Sequence, residues 1–392
     1  MFLGLLLLGG CQYDAFVEQK PVSFNGNFLF YNAPAAQRIP GTSTEYVSYV
    51  NRWGAVMVTE LIVKNNRTRI ITEEIVHEYT NSINYDRGYA DDHAAPALLF
   101  DTSENRLLVA TAYHGSDLFL YEKKLGLNES FRLVQHIPGR YTYPRFIEYR
   151  GKTYLFLRNQ SPGKLLGHLV VRSSLDNFTA EQVVIPSDEG HVIYASVPAL
   201  FHDGVMIQYS THSYETEDLE GWNLAHYDPE SGKVVRSADF SSFIPMTCVS
   251  NRPTGIAVSG GKVLMATACF EPGYKTKKNS ERFFSRENYI RILQVDLNTL
   301  DANDTKLLHD AVAVAPYYHT SVAVHEDGTW LYFDGKDIRS NRLVPAACRT
   351  PEPPRVRMYP NLTDDALYYA SPHQDFYQIR NFQNALYRCS RY

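Results

Sequence analysis

Short runs of alternating apolar and polar residues, rich in Val, Ile, Tyr, Phe and Leu, follow one another along the chain and are separated by Gly, Asp and Asn. Alternation with a period of two predicts half-buried β-strands, and the separating residues predict turns. The period of 3.6 residues that marks amphipathic helices is almost absent. The chain is therefore predicted to be all-β.

A larger unit repeats within this pattern: an apolar strand, a polar turn and a second apolar strand. It begins near residues 97, 145, 199, 255 and 321. The spacing of roughly 50 to 65 residues, with further strand-like sequence after most hairpins, is typical of four-stranded β-propeller blades. A first blade around 26–75 and a last one from about 365 to 392 bring the total to seven. We predict one seven-bladed β-propeller domain over residues 23–392; a β-sandwich or a parallel β-helix fits the spacing less well.

The composition is that of a globular domain: 44% of the 392 residues are hydrophobic, which is ample for a core. The formal net charge of −5 gives no general attraction to nucleic acid, so we expect no such partner. An acidic polymer would bind only at a local basic site. We expect a monomer.

The N-terminal segment "MFLGLLLLGGCQYD" is apolar up to Cys11 and resembles a bacterial lipobox, in which the cysteine is lipidated. Its apolar run of about eight residues is too short to span a bilayer. We expect residues 1–22 to be a lipoprotein leader and tether, with membrane contact only through the lipid. The domain would then be exported, and either anchored at the bacterial cell envelope or secreted. A chance apolar N-terminus is the alternative.

Four further cysteines, an even number in an export context, allow two disulfides in any of three pairings. They are Cys248, Cys269, Cys348 and Cys389. A structural zinc or calcium site that uses some of them with a histidine is the alternative. The sequence leaves both alternatives open.

Polar and aromatic residues recur where successive blades should open onto a common face. They are His93, His114, Tyr143, Arg158, Tyr194, His212, Arg252 and His319. Each alone could pack in a core or cap a loop. Because propeller blades bring distant positions together near one channel, their recurrence predicts a single site.

The stretches "DDHAAPALLF", "LLVATAYHG" and "YTYPRFIEYRGKTYLFLRNQSPG" resemble the BNR-repeat-like propeller family that includes the ulvan lyases of polysaccharide lyase families 24 and 25. That family has a histidine in an Asp-Asp/Asn-His-x-x-Pro segment, a second histidine, a Tyr-Pro pair and a downstream arginine. The matching positions here are His93, His114, Tyr143 and Arg158. The sequence departs from the pattern at Ala94 and Ala95, where a more polar residue is expected, and in a shorter spacing between His114 and Tyr143.

The resemblance implies a lyase that cleaves a uronate-containing, ulvan-like sulfated polysaccharide by β-elimination. Arg158 would neutralise the uronate carboxylate, because a guanidinium is permanently charged and binds carboxylates with two hydrogen bonds. His93 and Tyr143 would be the base and acid, with His114 as a second base or an orienting residue.

We expect substrate contacts from Tyr194, His212, Arg252 and His319, and no cofactor for the chemistry. Sulfate binding would call for further cations, for which Arg252, Arg145 and Lys164 are candidates.

Two other functions remain open. "HEDGTW" at residues 325–330 carries the end of an Asp-box, a feature of sialidase-like glycoside hydrolases. A non-catalytic glycan-binding lipoprotein of a polysaccharide-utilisation system is the second alternative, because a propeller does not by itself confer activity.

Overall fold

The protein is described by a computed structural model. It covers residues 26–27, 36–51, 54–64, 67–79, 94, 96–113, 115–126, 129–164, 166–215, 219–245, 248, 250–270, 288–313, 322–334, 338–342, 359–362, 366–372 and 384–390. Within these ranges the fold is all-β, as predicted. The helices are short 3₁₀ turns at Pro162–Lys164, Ser174–Asp176, Ser241–Phe243 and Ala302–Asp304. In this part of the chain, no helix has both the length and the apolar character needed to cross a bilayer.

The first sheet is antiparallel and is formed by the N-terminal strands. Its strands are β1 (Gly26–Asn27), β2 (Ala36–Arg38), β3 (Thr44–Asn51), β4 (Ala55–Lys64) and β5 (Arg67–Glu78). β3 pairs with β1, β2 and β4, and the long β5 lies at the edge.

Twelve strands follow in one continuous hydrogen-bonded sheet. They are β6 (Ala97–Asp101), β7 (Arg106–Ala112), β8 (Ser116–Lys124), β9 (Arg132–Tyr149), β10 (Lys152–Ser161), β11 (Leu166–Ser173), β12 (Gln182–Ile185), β13 (His191–Ala195), β14 (Ala199–Phe201), β15 (Gly204–Ser213), β16 (Leu219–Asp228) and β17 (Lys233–Asp239).

The continuity comes from β9, which pairs with β8 through its first half and with β10 through its second half. β9 therefore ends one group of strands and begins the next. In a propeller, the outer strand of one blade leads in the same way into the inner strand of the following blade. A single parallel pair, Gly167 with Val192, joins the group β9–β12 to the group β13–β17.

The remaining strands form three smaller antiparallel sheets. They are β18 (Ser250–Ser259), β19 (Lys262–Phe270), β20 (Asn288–Asp296) and β21 (Lys306–Ala313); β22 (Val322–Val324), β23 (Trp330–Phe333) and β24 (Ile338–Ser340); and β25 (Tyr359–Leu362), β26 (Ala366–Pro372) and β27 (Asn384–Ser390). Successive sheets contact one another, and β1 contacts β26 and β27.

The five hairpins expected from the repeat are confirmed as antiparallel pairs. Two of them turn in two residues that both have positive φ: Arg150 and Gly151 at 50° and 70°, and Gly260 and Gly261 at 53° and 75°. Turns of this kind match the twist of the flanking strands and favour glycine, which has no Cβ to clash. The polar turns between apolar runs therefore predicted the hairpins correctly.

The core lies between neighbouring groups of strands rather than within one of them. Phe156 on β10 packs edge-on against Tyr227 on β16, with ring centroids 5.9 Å apart. Trp222 on β16 shares a buried cluster with Met265 and Leu293 of the next sheet. Burial on both faces explains why the inner strands are nearly continuous apolar runs.

A disulfide joins Cys248, just before β18, to Cys269 at the end of β19, with their Cα atoms 5.7 Å apart. This settles one pair among the cysteines. The Cys389 side chain and the whole of Cys348 lie outside the described residues. In the residues described, no group of three or more His, Cys, Asp or Glu is placed to hold a metal ion.

Removing this disulfide is expected to destabilise the domain. The bridge closes a segment with a sequence separation of 21 residues, and such a cross-link restricts the unfolded chain by about 3 kcal/mol. The double variant Cys248→Ser/Cys269→Ser should therefore unfold at lower urea concentration than the oxidised wild type. Reductant should lower the wild-type midpoint toward that of the variant. Equal midpoints for all three samples would show that the bridge contributes nothing.

A half-buried histidine lies between the first sheet and β8. His77 Nδ1 is 2.6 Å from the Tyr121 hydroxyl, and its ring centroid is 4.3 Å from that of Phe119. Burial, and to a lesser extent the charge of His136, lowers the pKa of His77 to about 4. The native state therefore keeps this imidazole neutral at pH values where the unfolded chain protonates it.

This shift predicts a pH-dependent stability. Between the unfolded pKa of about 6.5 and the folded value of about 4, the unfolded state binds the extra proton, so the free energy of unfolding should fall as the pH falls. With the partial exposure of the ring discounted, this group accounts for a loss of about 1–2 kcal/mol, and it contributes no further change above pH 7. His77→Gln should flatten this part of the profile in urea titrations. An unchanged slope between pH 7 and 4 would contradict the assignment.

Candidate active site

The structure describes half of the predicted site residues. The described ones lie together: Tyr143, Arg158, Tyr194 and His212. The side chain of Arg252, on β18, lies outside the described residues, as do His93, His114, His319 and Cys11 entirely.

Tyr143 lies on a bulge in β9. The pairing with β10 jumps from Arg145 opposite Phe156 to Thr142 opposite Arg158, so Tyr143 and Pro144 together face one residue of the partner strand. Tyr143 has a φ of 59°, a left-handed conformation that is costly for an aromatic residue. Pro144 fits a bulge because it has no N–H for the ladder. The bulge interrupts the alternation of β9 and re-aims the Tyr143 side chain.

Arg158 on β10 is held between two aromatic rings. Its guanidinium carbon lies 4.6 Å from the ring centroid of Tyr143 and 4.6 Å from that of Tyr194. The side chain is 2% exposed. With its amide oxygen turned toward the guanidinium, Gln160 accepts from Nη2 at 2.5 Å and Nε at 3.2 Å. Cation–π contact and this hydrogen-bonded neighbour fix a buried positive charge in one orientation.

Tyr194 and His212 extend the cluster into the next group of strands. The two ring centroids are 5.1 Å apart at an interplanar angle of 79°, and His212 Nε2 lies 2.8 Å from the Ser210 hydroxyl. His212 is fully buried. It therefore supports the Tyr194 ring in this arrangement, and its expected direct contact with substrate stays a prediction.

A second buried arginine supports the cluster from β9. Arg145 donates from Nη2 to the carbonyl of Ala195 at 2.6 Å, and its guanidinium lies 5.8 Å from the Tyr143 ring centroid. At 1% exposure it is buried among protein groups. In this structure Arg145 braces the strand after Tyr194, and its expected sulfate contact stays a prediction.

Aromatic residues that the sequence did not single out complete the surroundings. Tyr79 and Tyr113 pack against the apolar cluster that contains Tyr143 and Tyr194. The Tyr79 hydroxyl is 2.9 Å from Thr111 Oγ1, and burial raises the pKa of this phenol above its usual range. In a chain with 28 tyrosines, residue type alone could not identify them.

Ala94 and Gly115, which follow the predicted histidines His93 and His114 in the chain, lie beside the cluster of Tyr143 and Arg158. Ala94 is buried in the cluster with Tyr143, and its carbonyl accepts from Thr111 Oγ1 at 2.9 Å. Burial among apolar residues explains an alanine here, where the resemblance led us to expect a polar residue. The amide of Gly115 donates to Thr142 Oγ1 at 3.0 Å, one residue before Tyr143.

The partial Asp-box has a structural role. Asp327 Oδ1 accepts from the amide of Thr329 at 2.9 Å, and the amide of His325 donates to the Thr329 carbonyl at 2.8 Å. These bonds close the turn between β22 and β23. The motif therefore needs no catalytic explanation.

Comparisons with known proteins bear on the family and the fold. Residues 44–173, about a third of the chain, match the family described as "BNR repeat-containing family member". The fold is similar to that of a polysaccharide lyase family 25 ulvan lyase solved with GlcA(1-4)Rha3S bound, with a TM-score of 0.67, 11% identity and coverage of 95% of this chain and 94% of the other. It is also similar to the polysaccharide lyase Uly1, with a TM-score of 0.54, 11% identity and coverage of 96% and 93%.

No curated protein matches the sequence. The resemblance to BNR-repeat propellers of the ulvan-lyase type, predicted from the motifs, is confirmed at the level of family similarity and fold. At 11% identity, the similarity to the solved structures establishes the fold alone.

Proposed function

We propose that the protein is a polysaccharide lyase that cleaves a uronate-containing, sulfated, ulvan-like polysaccharide by β-elimination. The observation that carries the proposal is the Arg158 guanidinium fixed between Tyr143 and Tyr194. In elimination the hardest step is removal of the C5 proton, since negative charge develops on the adjacent carboxylate. A preoriented cation stabilises that charge without reorganising during the reaction.

The proposed roles follow from this arrangement. Arg158 binds the uronate carboxylate. Of His93 and Tyr143, one takes the C5 proton and the other gives a proton to the O4 leaving group. The C5–H electron pair becomes the C4=C5 double bond as the C4–O4 bond breaks. His114 assists as a second base or by orienting the sugar, with Tyr194, His212, Arg252 and His319 expected around the substrate. No other reactant is needed.

Backbone strain at Tyr143 supports its role. An aromatic residue in a left-handed conformation costs free energy of order 1 kcal/mol or more, and such residues cluster at functional sites. The positions of Ala94 and Gly115, which flank the cluster, support placing the two histidines at the same site.

We also propose that the strands form seven blades closed into a ring. The twelve-stranded sheet divides at β9 and β13 into three groups of strands. With the first sheet and the three smaller sheets, the described strands make seven successive groups, which supports seven blades. The closed ring is also supported by the contacts of β1 with β26 and β27. The Cys248–Cys269 disulfide supports an exported protein.

The test is an activity screen of the wild-type protein against sulfated and unsulfated uronate polysaccharides. Elimination creates a conjugated double bond, so ultraviolet absorbance should rise. A matched substrate whose carboxyl groups have been reduced to alcohols should give no rise, because its C5 proton is no longer acidified and no double bond conjugated with a carboxyl group can form. Release of reducing ends without the chromophore would indicate a hydrolase. Binding with neither signal would indicate a glycan-binding protein, and both outcomes would overturn the proposal.

A further inference from the structure

β9 carries a second irregularity, close to the one at Tyr143. Its pairing with β8 jumps from Ile137 to Tyr141, so that residues 138–140 lie opposite Asp117 alone. A bulge of this size turns the strand and redirects the side chains on it. "Pro138-Gly139-Arg140" therefore leaves the regular ladder immediately before the strand reaches the site.

Asp117 fixes this bulge. Its Oδ1 accepts from the Gly139 amide at 3.0 Å, and its Oδ2 lies 2.8 Å from His136 Nε2. The Gly139 amide and the His136 side chain hold the pKa of the Asp117 carboxyl below its usual range. The carboxylate thus has partners of its own, and it anchors the loop that presents Arg140.

Arg140 lies over the turn at Gly115. A Cβ added to Gly115 would lie 3.7 Å from both Nε and Nη2 of Arg140, and 2.8 Å from the carboxamide of Gln160. Gly115 itself has a φ of 71°, and its amide donates a hydrogen bond to Thr142 Oγ1. A glycine is needed here because the turn is left-handed and its neighbours approach closely.

Arg140 is connected to the site through Gln160. Gln160 contacts the Arg158 guanidinium as well as the Gly115 turn. Thr142 is opposite Arg158 in the ladder, and Arg140 precedes Thr142 by two residues in the chain. Gln160 therefore contacts Arg158 and shares the Gly115 turn with Arg140.

The two arginines differ in how they are held. Arg158 is buried between rings, whereas Arg140 is exposed. Of the residues described, none makes an ion pair or a hydrogen bond with the Arg140 side chain. An exposed guanidinium on an anchored loop beside the site suits a ligand that brings its own negative charge.

We propose that Arg140 binds a second anionic substituent of an acidic polysaccharide, a sulfate ester or the carboxylate of a neighbouring sugar, while Arg158 binds the reacting uronate. Arg140 would act in specificity, since it takes no part in the proposed elimination and is connected to Arg158 through Gln160. The inference rests on the proposed function for its substrate class. It is tested by binding, which does not depend on turnover.

The experiment is affinity electrophoresis of the full chain in gels that contain ulvan or chemically desulfated ulvan. Arg140→Gln should weaken retardation by ulvan about tenfold. The control is Arg69→Gln, which removes the same charge from an exposed arginine on the edge strand β5 and should stay within twofold of wild type. If Arg140→Gln weakens retardation by ulvan alone, the ligand of Arg140 is a sulfate. If it weakens retardation by both polymers, the ligand is a carboxylate.

Retardation of Arg140→Gln within twofold of wild type, or an equal loss in Arg69→Gln, would overturn the inference. The first result would show that Arg140 does not bind the polymer, and the second that only net charge matters. Ultraviolet absorbance of the same samples separates the two proposals. If the wild type produces no chromophore but Arg140→Gln still binds the polymer more weakly than the wild type, elimination is refuted and the proposed Arg140 site is supported.

Discussion

Arg158→Lys is expected to lower kcat for elimination by about 10²- to 10³-fold, the effect of losing a well-placed group that stabilises developing charge. Lysine keeps the positive charge but lacks the planar fork that binds a carboxylate with two hydrogen bonds. It also cannot stack between Tyr143 and Tyr194 as the guanidinium does, 4.6 Å from each ring centroid. The measurement is the initial rate of absorbance increase on a uronate polysaccharide.

Arg172→Lys is the matched control for that variant. Arg172 is also a buried arginine, and it stacks 5.3 Å from the Tyr141 ring centroid while it donates to the carbonyls of Phe178 and Thr179. This substitution should lower the melting temperature and leave kcat within about threefold. Equal losses of kcat in Arg158→Lys and Arg172→Lys would mean that Arg158 acts only through stability.

Tyr143→Phe is expected to lower kcat by about 10²- to 10⁴-fold, because the variant lacks the hydroxyl that carries a proton in the proposed reaction. The ring stays, and with it the cation–π contact to Arg158. The free energy of unfolding should therefore change by no more than about 1 kcal/mol. Steady-state rates and urea titrations of the same preparation check both expectations.

Tyr141→Phe is the control for Tyr143→Phe, because it removes a structural tyrosine hydroxyl from the same strand. The Tyr141 hydroxyl donates to Glu181 Oε2 at 2.8 Å and accepts from Arg172 Nη2 at 2.7 Å, so its removal disturbs a hydrogen-bonded network. Burial and the Glu181 carboxylate raise the pKa of Tyr141. We expect reduced stability with nearly normal kcat. Near-normal elimination by Tyr143→Phe would contradict the assigned role.

Much of the fold could be predicted from the sequence because its signals are local. Alternating apolar runs and turn residues such as Gly260 and Gly261 specify hairpins over a few residues. The pairing of Tyr143 with Arg158 was predicted from motif spacing, and the structure brings the two side chains into contact. Their proximity follows from the neighbouring strands β9 and β10.

Other features of the site depend on contacts between distant parts of the chain. The left-handed backbone of Tyr143 and the burial of Arg145 arise from a bulge whose presence "TYPRF" suggests only weakly. Packing of Tyr79 and Ala94 around the cluster joins the first sheet to the second. No local pattern encodes such contacts, so Arg140 could be recognised only after the bulge at residues 138–140 was seen.

The mass of the products distinguishes elimination of a uronate linkage from its hydrolysis. Exhaustive digestion of a uronate polysaccharide by the wild-type protein should release oligosaccharides whose new non-reducing end is unsaturated. Each would be lighter by one water than the corresponding hydrolysis product, and each would carry the ultraviolet chromophore. Saturated products with the full mass of hydrolysis, formed at a rate that Arg158→Lys leaves unchanged, would contradict elimination by this site.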